Sequence, residues 1–108
     1  MELQVILPEG VEVSRTVSAV SGEGEHGSFT LLPRHVDFIA ALVPGLLSYR
    51  TSDGEESFLA VDGGVLVKVG AEVRVSTTRI ARGSLGELER AAHELFRRRS
   101  EREAQAGA

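Results

Sequence analysis

Through residues 1–80, apolar side chains recur at every second position in short runs, and that period limits what the chain can build. Leu3, Val5 and Leu7 alternate with Glu2 and Gln4, and Val11 and Val13 flank Glu12. Further on, Val65, Val67 and Val69 enclose Leu66 and Lys68, while Val73 and Val75 enclose Arg74. A period of two sets the valines on one face of a strand and the polar residues on the other. Turn residues separate the runs at Pro8-Glu9-Gly10, Gly22 to Gly27, Pro44-Gly45, Ser52-Asp53-Gly54 and Gly63-Gly64. Strands spaced by such signals every 8 to 12 residues or about that predict a mainly β chain, an antiparallel β-sandwich or flattened barrel. No helical pattern lies between the strands, which excludes a parallel βαβ architecture. Val36 to Leu47 fits a helix or a buried strand by period alone. Its β-branched and aromatic content on either side of Pro44-Gly45 favours two strands around a turn.

The pattern changes after Gly83. Ser84 and Glu87 have the spacing of a capping box, and Leu85, Leu88, Ala91, Ala92, Leu95 and Phe96 follow at steps of three and four. The chain therefore divides into a sandwich domain over 1–83 and a single C-terminal α-helix within 84–108. The helix has a narrow apolar stripe that must cover the sandwich or a partner, with His93 at its edge.

Composition narrows the function. The 108 residues suffice for one domain with a short appendage. No apolar run reaches the roughly 18 residues of a membrane-spanning helix, so no direct membrane insertion is expected. Met1-Glu2-Leu3-Gln4 has no basic and apolar leader pattern, and the absence of cysteine fits a reducing compartment. Residues 1–83 carry seven Lys or Arg against eleven Asp or Glu, and 84–108 carry five against five, which together give the net charge of −4. An acidic body of this kind argues against nucleic-acid binding, which needs a basic face. Arg97-Arg98-Arg99 is interleaved with Glu94, Glu101 and Glu103 and reads as a solvated helix face.

Catalytic constellations are weak. Gly22-Glu23-Gly24-Glu25-His26-Gly27 matches a dinucleotide-binding spacing, but a strand-like Ser28 to Pro33 follows where that motif opens a helix. His26, His35 and Asp37, with Glu23 or Glu25, invite a metal reading. Yet only His35 and Asp37 have useful spacing, sharing a face if they lie on a strand. The serines show no nucleophile-elbow spacing, and Glu55-Glu56 sits beside a hairpin turn where solvent keeps carboxylates ordinary. The residues alone therefore describe a binding or interaction domain with no catalytic, cofactor or metal site.

The stretch Gly27-Ser28-Phe29-Thr30-Leu31-Leu32-Pro33-Arg34-His35, continued by Leu42-Val43-Pro44-Gly45, resembles the signature of the epsilon subunit of F-type ATP synthases. Met1 to Pro8 is similar to the family's first strand, and Phe58 to Leu66 with Glu72 to Val75 is similar to its Val-Ser-Gly-Gly-Phe region. The resemblance covers residues 1–83 in order and spacing. It implies a sandwich of about ten short strands that docks on the gamma subunit and meets the c-ring. It also implies a subunit with no catalytic residue, placed peripherally on the cytoplasmic face of the bacterial plasma membrane. In that role the chain helps couple ion translocation to ATP synthesis or hydrolysis.

Gly27, Ser28, Phe29 and His35 are the residues the resemblance sets at the c-ring and gamma contact, with Phe29 alternatively packed inside the sandwich. Departures from the family are Thr30 at a loop glycine, Asp37 at a proline, Ser28 at a frequent glutamate and Ser76-Thr77-Thr78 at Leu-Ala-Asp. These changes resemble the divergent epsilon of second-copy F-type ATPases, some of them sodium-linked. Set against the family's inhibitory helical hairpin, residues 84–108 are expected to supply one helix, whose arginines would offer a contact with the catalytic head. A free-standing β-sandwich ligand-binding module, marked by an apolar pocket with convergent polar groups, is the alternative from another class. A small metalloenzyme using His26, His35 and Asp37 is a third.

Overall fold

A computed structural model describes residues 1–83 together with 86–90, 93, 94 and 97. Its strands are β1 (Glu2–Leu7), β2 (Gly10–Gly24), β3 (Gly27–Leu31), β4 (Phe38–Thr51), β5 (Glu56–Val69), β6 (Glu72–Ser76) and β7 (Ile80–Ala81). The order β1-β6-β5-β4-β2 closes on itself because β1 also pairs with β2, while β3 adds to β2 and β7 to β5. The result is the flattened barrel the alternation predicts. Its interior holds Leu3, Val5, Val17, Val20, Leu47, Leu66, Val73 and Val75, among others.

Several details depart from expectation. Among the described residues seven strands stand where about ten short ones were expected, because β2, β4 and β5 run for 15, 14 and 14 residues. Pro44-Gly45 is not a turn but lies inside β4, opposite Asp62 and Val61 of β5. The β2–β4 register shifts between Ser21 and Gly24 (Ser21 faces Ser48, Gly24 faces Leu42), so Pro44 falls where the β2 ladder is interrupted. A proline has no N–H to offer a ladder and is tolerated there. Finally, β1 and β6 pair in parallel although every other pairing is antiparallel.

Gly63-Gly64 is likewise no turn. Both residues lie within β5 at positive φ, 72° and 124°. They mark the corner at which β5 changes neighbours, from β7 at Ala60 and Val61 to β6 from Val65 onward. The run Gly22 to Gly27 is strand on both sides, with only Glu25 and His26 as the turn. A register shift between Val5 and Ile6 leaves Glu12 as an extra residue in β2, so Val11 turns outward while Val13 stays buried.

Asp53-Gly54 does form the β4–β5 hairpin. The Thr51 hydroxyl donates to the Asp53 carboxylate, as does the Glu55 N–H, and these bonds hold its pKa below the ordinary carboxylate value. A depressed pKa adds stability that is present above the ordinary value and is lost as pH falls through the lowered one. Because Asp53 is fully exposed, the readout is local. A Thr51→Val variant is expected to bring the Asp53 titration, followed by NMR, back toward the ordinary range.

Residues 86–90, 93, 94 and 97 are helical. Leu88 is buried against Ala60, with Leu46, Phe58 and Ala81 around it, so the helix begins on the outer face of β4 and β5. Leu88→Ala is expected to weaken this docking by about 2–4 kcal/mol. Amide exchange at 86–90 should accelerate while the barrel strands keep their protection. His93 is exposed, and Arg97 pairs with Glu94 at 2.7 Å, as expected of a solvated face. Ser84 of the capping pair, the stripe residues Leu85, Ala91, Ala92, Leu95 and Phe96, and Arg98 and Arg99 lie outside the described residues.

Candidate interaction surface

The run Val65-Leu66-Val67-Lys68-Val69 can face the core in either of two ways, and the barrel adopts the less obvious one. Leu66 and Lys68 are buried at 0% and 1% exposure, whereas Val65 and Val69 are exposed at 44% and 60%. The inward lysine finds hydrogen-bond partners there. Its Nζ donates to the carbonyl oxygens of His35 at 2.6 Å and Gly70 at 2.7 Å. Hydrogen bonds from an ionised donor are worth about 1.5–3 kcal/mol each, enough to offset much of the cost of burying the ammonium.

This orientation turns an apolar sheet face to solvent. Residues directly opposite one another in a ladder share a face. Ile39 lies opposite Val67 and Ala41 opposite Val65, so both join the valines on the outside. Ile39 is 72% exposed, and Val36, in the preceding loop, is 74% exposed. Glu72, Arg74 and Ser76 of β6 form the polar border, with an Arg74–Glu72 ion pair at 3.5 Å. Apolar residues gathered on one face with a polar rim have the make-up of a protein-binding surface. Sequence reasoning missed this surface by assigning the valines to the core. The available signal was the lysine, which competes for the same strand.

The residues expected at the interface occupy neighbouring elements. Gly27 and Ser28 are exposed on the β2–β3 hairpin, whose turn is fastened to β4 by the Glu25 N–H donating to Ala41 O at 2.9 Å. Phe29 is half-buried and packs on the core, its ring against the space left by Gly22, where a Cβ would stand 3.0 Å from Phe29 Cζ. Its centroid is 5.1 Å from Phe38, which is 6.4 Å from the exposed His35 ring, so three rings link the hairpin to the loop at 32–37.

That loop is not a strand, so the face-sharing that a strand would give His35 and Asp37 does not arise. Asp37 Oδ1 accepts the Gly70 N–H at 2.9 Å, and His26 sits apart in the β2–β3 turn. Among the described residues, no three His, Asp or Glu side chains converge as metal ligands would. A shallow cavity of 340 Å³ on β2, β3 and β4 is lined by Ser21, Ser28, Thr30 and Ser48, with Glu23 and Leu46.

Comparison with known proteins shows the family of this chain. Residues 1–83 match the family model for the ATP synthase delta/epsilon chain β-sandwich domain. The ATP synthase epsilon chain of Thermodesulfovibrio yellowstonii is 35% identical over an alignment covering 99% of this chain and 76% of that one. The epsilon chain of Campylobacter hominis is 31% identical over 83 residues, 77% of this chain and 62% of its own length. In four such relatives the matched region spans only 44–63% of their length.

The barrel also superposes on a chain in the Euglena gracilis mitochondrial ATP synthase OSCP/F1/c-ring structure (TM-score 0.70, 18% identity, 85% of this chain and 61% of that chain). A chain of the Tetrahymena thermophila central stalk/c-ring structure gives a TM-score of 0.67 at 12% identity, covering 91% of this chain and 94% of that one. At such identities these two superpositions speak for the fold alone. Matched along its entire barrel and across nearly its full length by an epsilon chain, this protein belongs to the epsilon subunit family of F-type ATP synthases.

Proposed function

We propose that this chain is a non-catalytic subunit of the central stalk, docking on the gamma subunit through the outer face of β4 and β5 around 39–41 and 65–69, apart from the stretch at Leu46, Phe58 and Ala60 that Leu88 covers. The observation that carries this reading is the exposed apolar set Ile39, Val65 and Val69, with the half-buried Val67 between them and Val36 beside them, which gains most from leaving water against another protein. The β2–β3 hairpin with Gly27 and Ser28, and the loop with His35, stand next to that face and suit a c-ring contact made by backbone and polar groups. The sandwich over 1–83 forms the docking body, and the helix within 84–108 offers a further contact toward the catalytic head. In this role the subunit sits peripherally at the cytoplasmic face of the membrane. There it couples ion translocation to ATP synthesis or hydrolysis, since a close-packed barrel transmits force with little deformation.

Calorimetric titration of the chain with the gamma subunit of the same genome tests the reading. One-to-one binding at micromolar strength or tighter is expected, with loss of binding when Ile39 is made acidic. A chain that melts cooperatively yet does not bind gamma would overturn it.

A further inference from the structure

Among the described residues, Lys68 and Thr77 are the polar side chains of the interior, and Lys68 alone of the two is charged. No carboxylate pairs with the Lys68 ammonium among the described residues. Removing an unpaired ammonium from water carries a large desolvation penalty, and an aliphatic side chain of the same size would fill the position at less cost. Lys68 therefore needs an explanation beyond stability, and its two partners supply one. One partner is the carbonyl of Gly70 in the β5–β6 turn, and the other is the carbonyl of His35 in the loop at 32–37.

Gly70 also ties the loop from its other side, through its N–H to Asp37 Oδ1. The loop has no strand partner, and its own backbone bond is His35 N–H to Leu32 O at 3.0 Å. Leu32 and Val36, 55% and 74% exposed, flank the point at which Lys68 grips it.

We propose that Lys68 is a positioning residue for partner docking, its buried ammonium latching loop 32–37 to the β5–β6 turn so that Leu32 and Val36 extend the apolar face. This rests on the gamma-docking reading above. A loop that must be ordered on binding loses affinity to conformational entropy, and one ordered beforehand does not. The latch accounts for the two features left unexplained by packing: an interior cation without an anion, and a strand that turns its valines outward.

The test uses the full chain, with gamma-binding calorimetry, amide exchange and thermal melting measured together. Lys68→Met keeps the aliphatic stem and removes the donors. It is expected to speed exchange at residues 32–37, leave β1 and β6 protected, and weaken gamma binding about tenfold without lowering the melting temperature. In a Leu32→Ser/Val36→Ser background the same substitution should cost less than about twofold, because the loop then has little left to present. Faster exchange with unchanged affinity overturns the proposal. So does a full tenfold loss in that background, which would mean Lys68 acts through the barrel and not the loop. If Lys68→Met does not fold, Asp37→Ala cuts the second tether while sparing the ammonium, and unchanged affinity there also overturns the proposal. Failure of the docking reading is distinguishable, because the unsubstituted chain would then not bind gamma at all.

Discussion

An alanine at position 64 is expected to lower the melting temperature by about 15 °C or more, or to prevent folding, the largest effect of any single methyl group in this barrel. Gly64 has φ of +124°, where residues with a Cβ are strained, and the added carbon would stand 2.0 Å from the carbonyl oxygen of Ser76. The next nearest atoms are the Ser76 carbonyl carbon at 3.0 Å and Thr77 Cα at 3.2 Å. All of these are backbone atoms, so no side chain can swing aside. The β5–β6 ladder, which pairs Val65 with Ser76, would have to open at its first rung. Strain and the lost pairing together amount to about 3–5 kcal/mol. Gly70→Ala is the matched control. It also replaces a glycine at positive φ, +58°, but meets nothing within 4 Å. It should cost only about 1–2 kcal/mol. Thermal melts of the two variants followed by circular dichroism measure the contrast. Equal melting temperatures would show that the Ser76 approach does not constrain the corner.

The second large effect concerns binding with stability held constant. The pair Ile39→Asp and Val69→Asp is expected to weaken association with gamma by at least about 100-fold, or about 2.7 kcal/mol, because each change would bury a carboxylate without a partner at the docking face. Ile39 and Val69 are 72% and 60% exposed in the free protein, so the melting temperature should move by no more than a few degrees. Arg74→Ala, at the polar border, should shift affinity by less than about tenfold, as rim charges do. Calorimetry and melting on the same preparations separate these outcomes. A double aspartate variant that binds as well as the parent would move the interface elsewhere on the barrel.

Much of the architecture was legible in the residues. Alternation with a period of two from Leu3 through Val75 predicted strands, and Asp53-Gly54 marked its hairpin correctly, because strand period and tight turns are local properties of the chain. Pro44-Gly45 and Gly63-Gly64 misled for a shared reason. They are chain breakers only if a ladder runs unbroken past them, and here they sit at a register shift and at a change of neighbours. Neither circumstance exists until strands distant in sequence have met. The facing of Val65 to Val69 depended likewise on Lys68 reaching a carbonyl in a loop far along the chain, so the exposed apolar face was hidden from a local reading. Gly27, Ser28 and His35 could be placed near a surface by resemblance. The valine face beside them required the barrel.

The parallel pairing of β1 with β6 has a consequence for how the protein is made. Leu3 lies beside Val73 and Val5 beside Val75, so β1 finds its second neighbour only after nearly all of the barrel sequence has been made. Until then β1 has β2 as its one ladder partner, and the edge that β6 will cover stays open. Contacts this remote in sequence slow folding, and open edges invite pairing between nascent chains. Docking of β6 is thus the step that closes the barrel, and a chain ending before Glu72 would leave the β1 and β5 edges open.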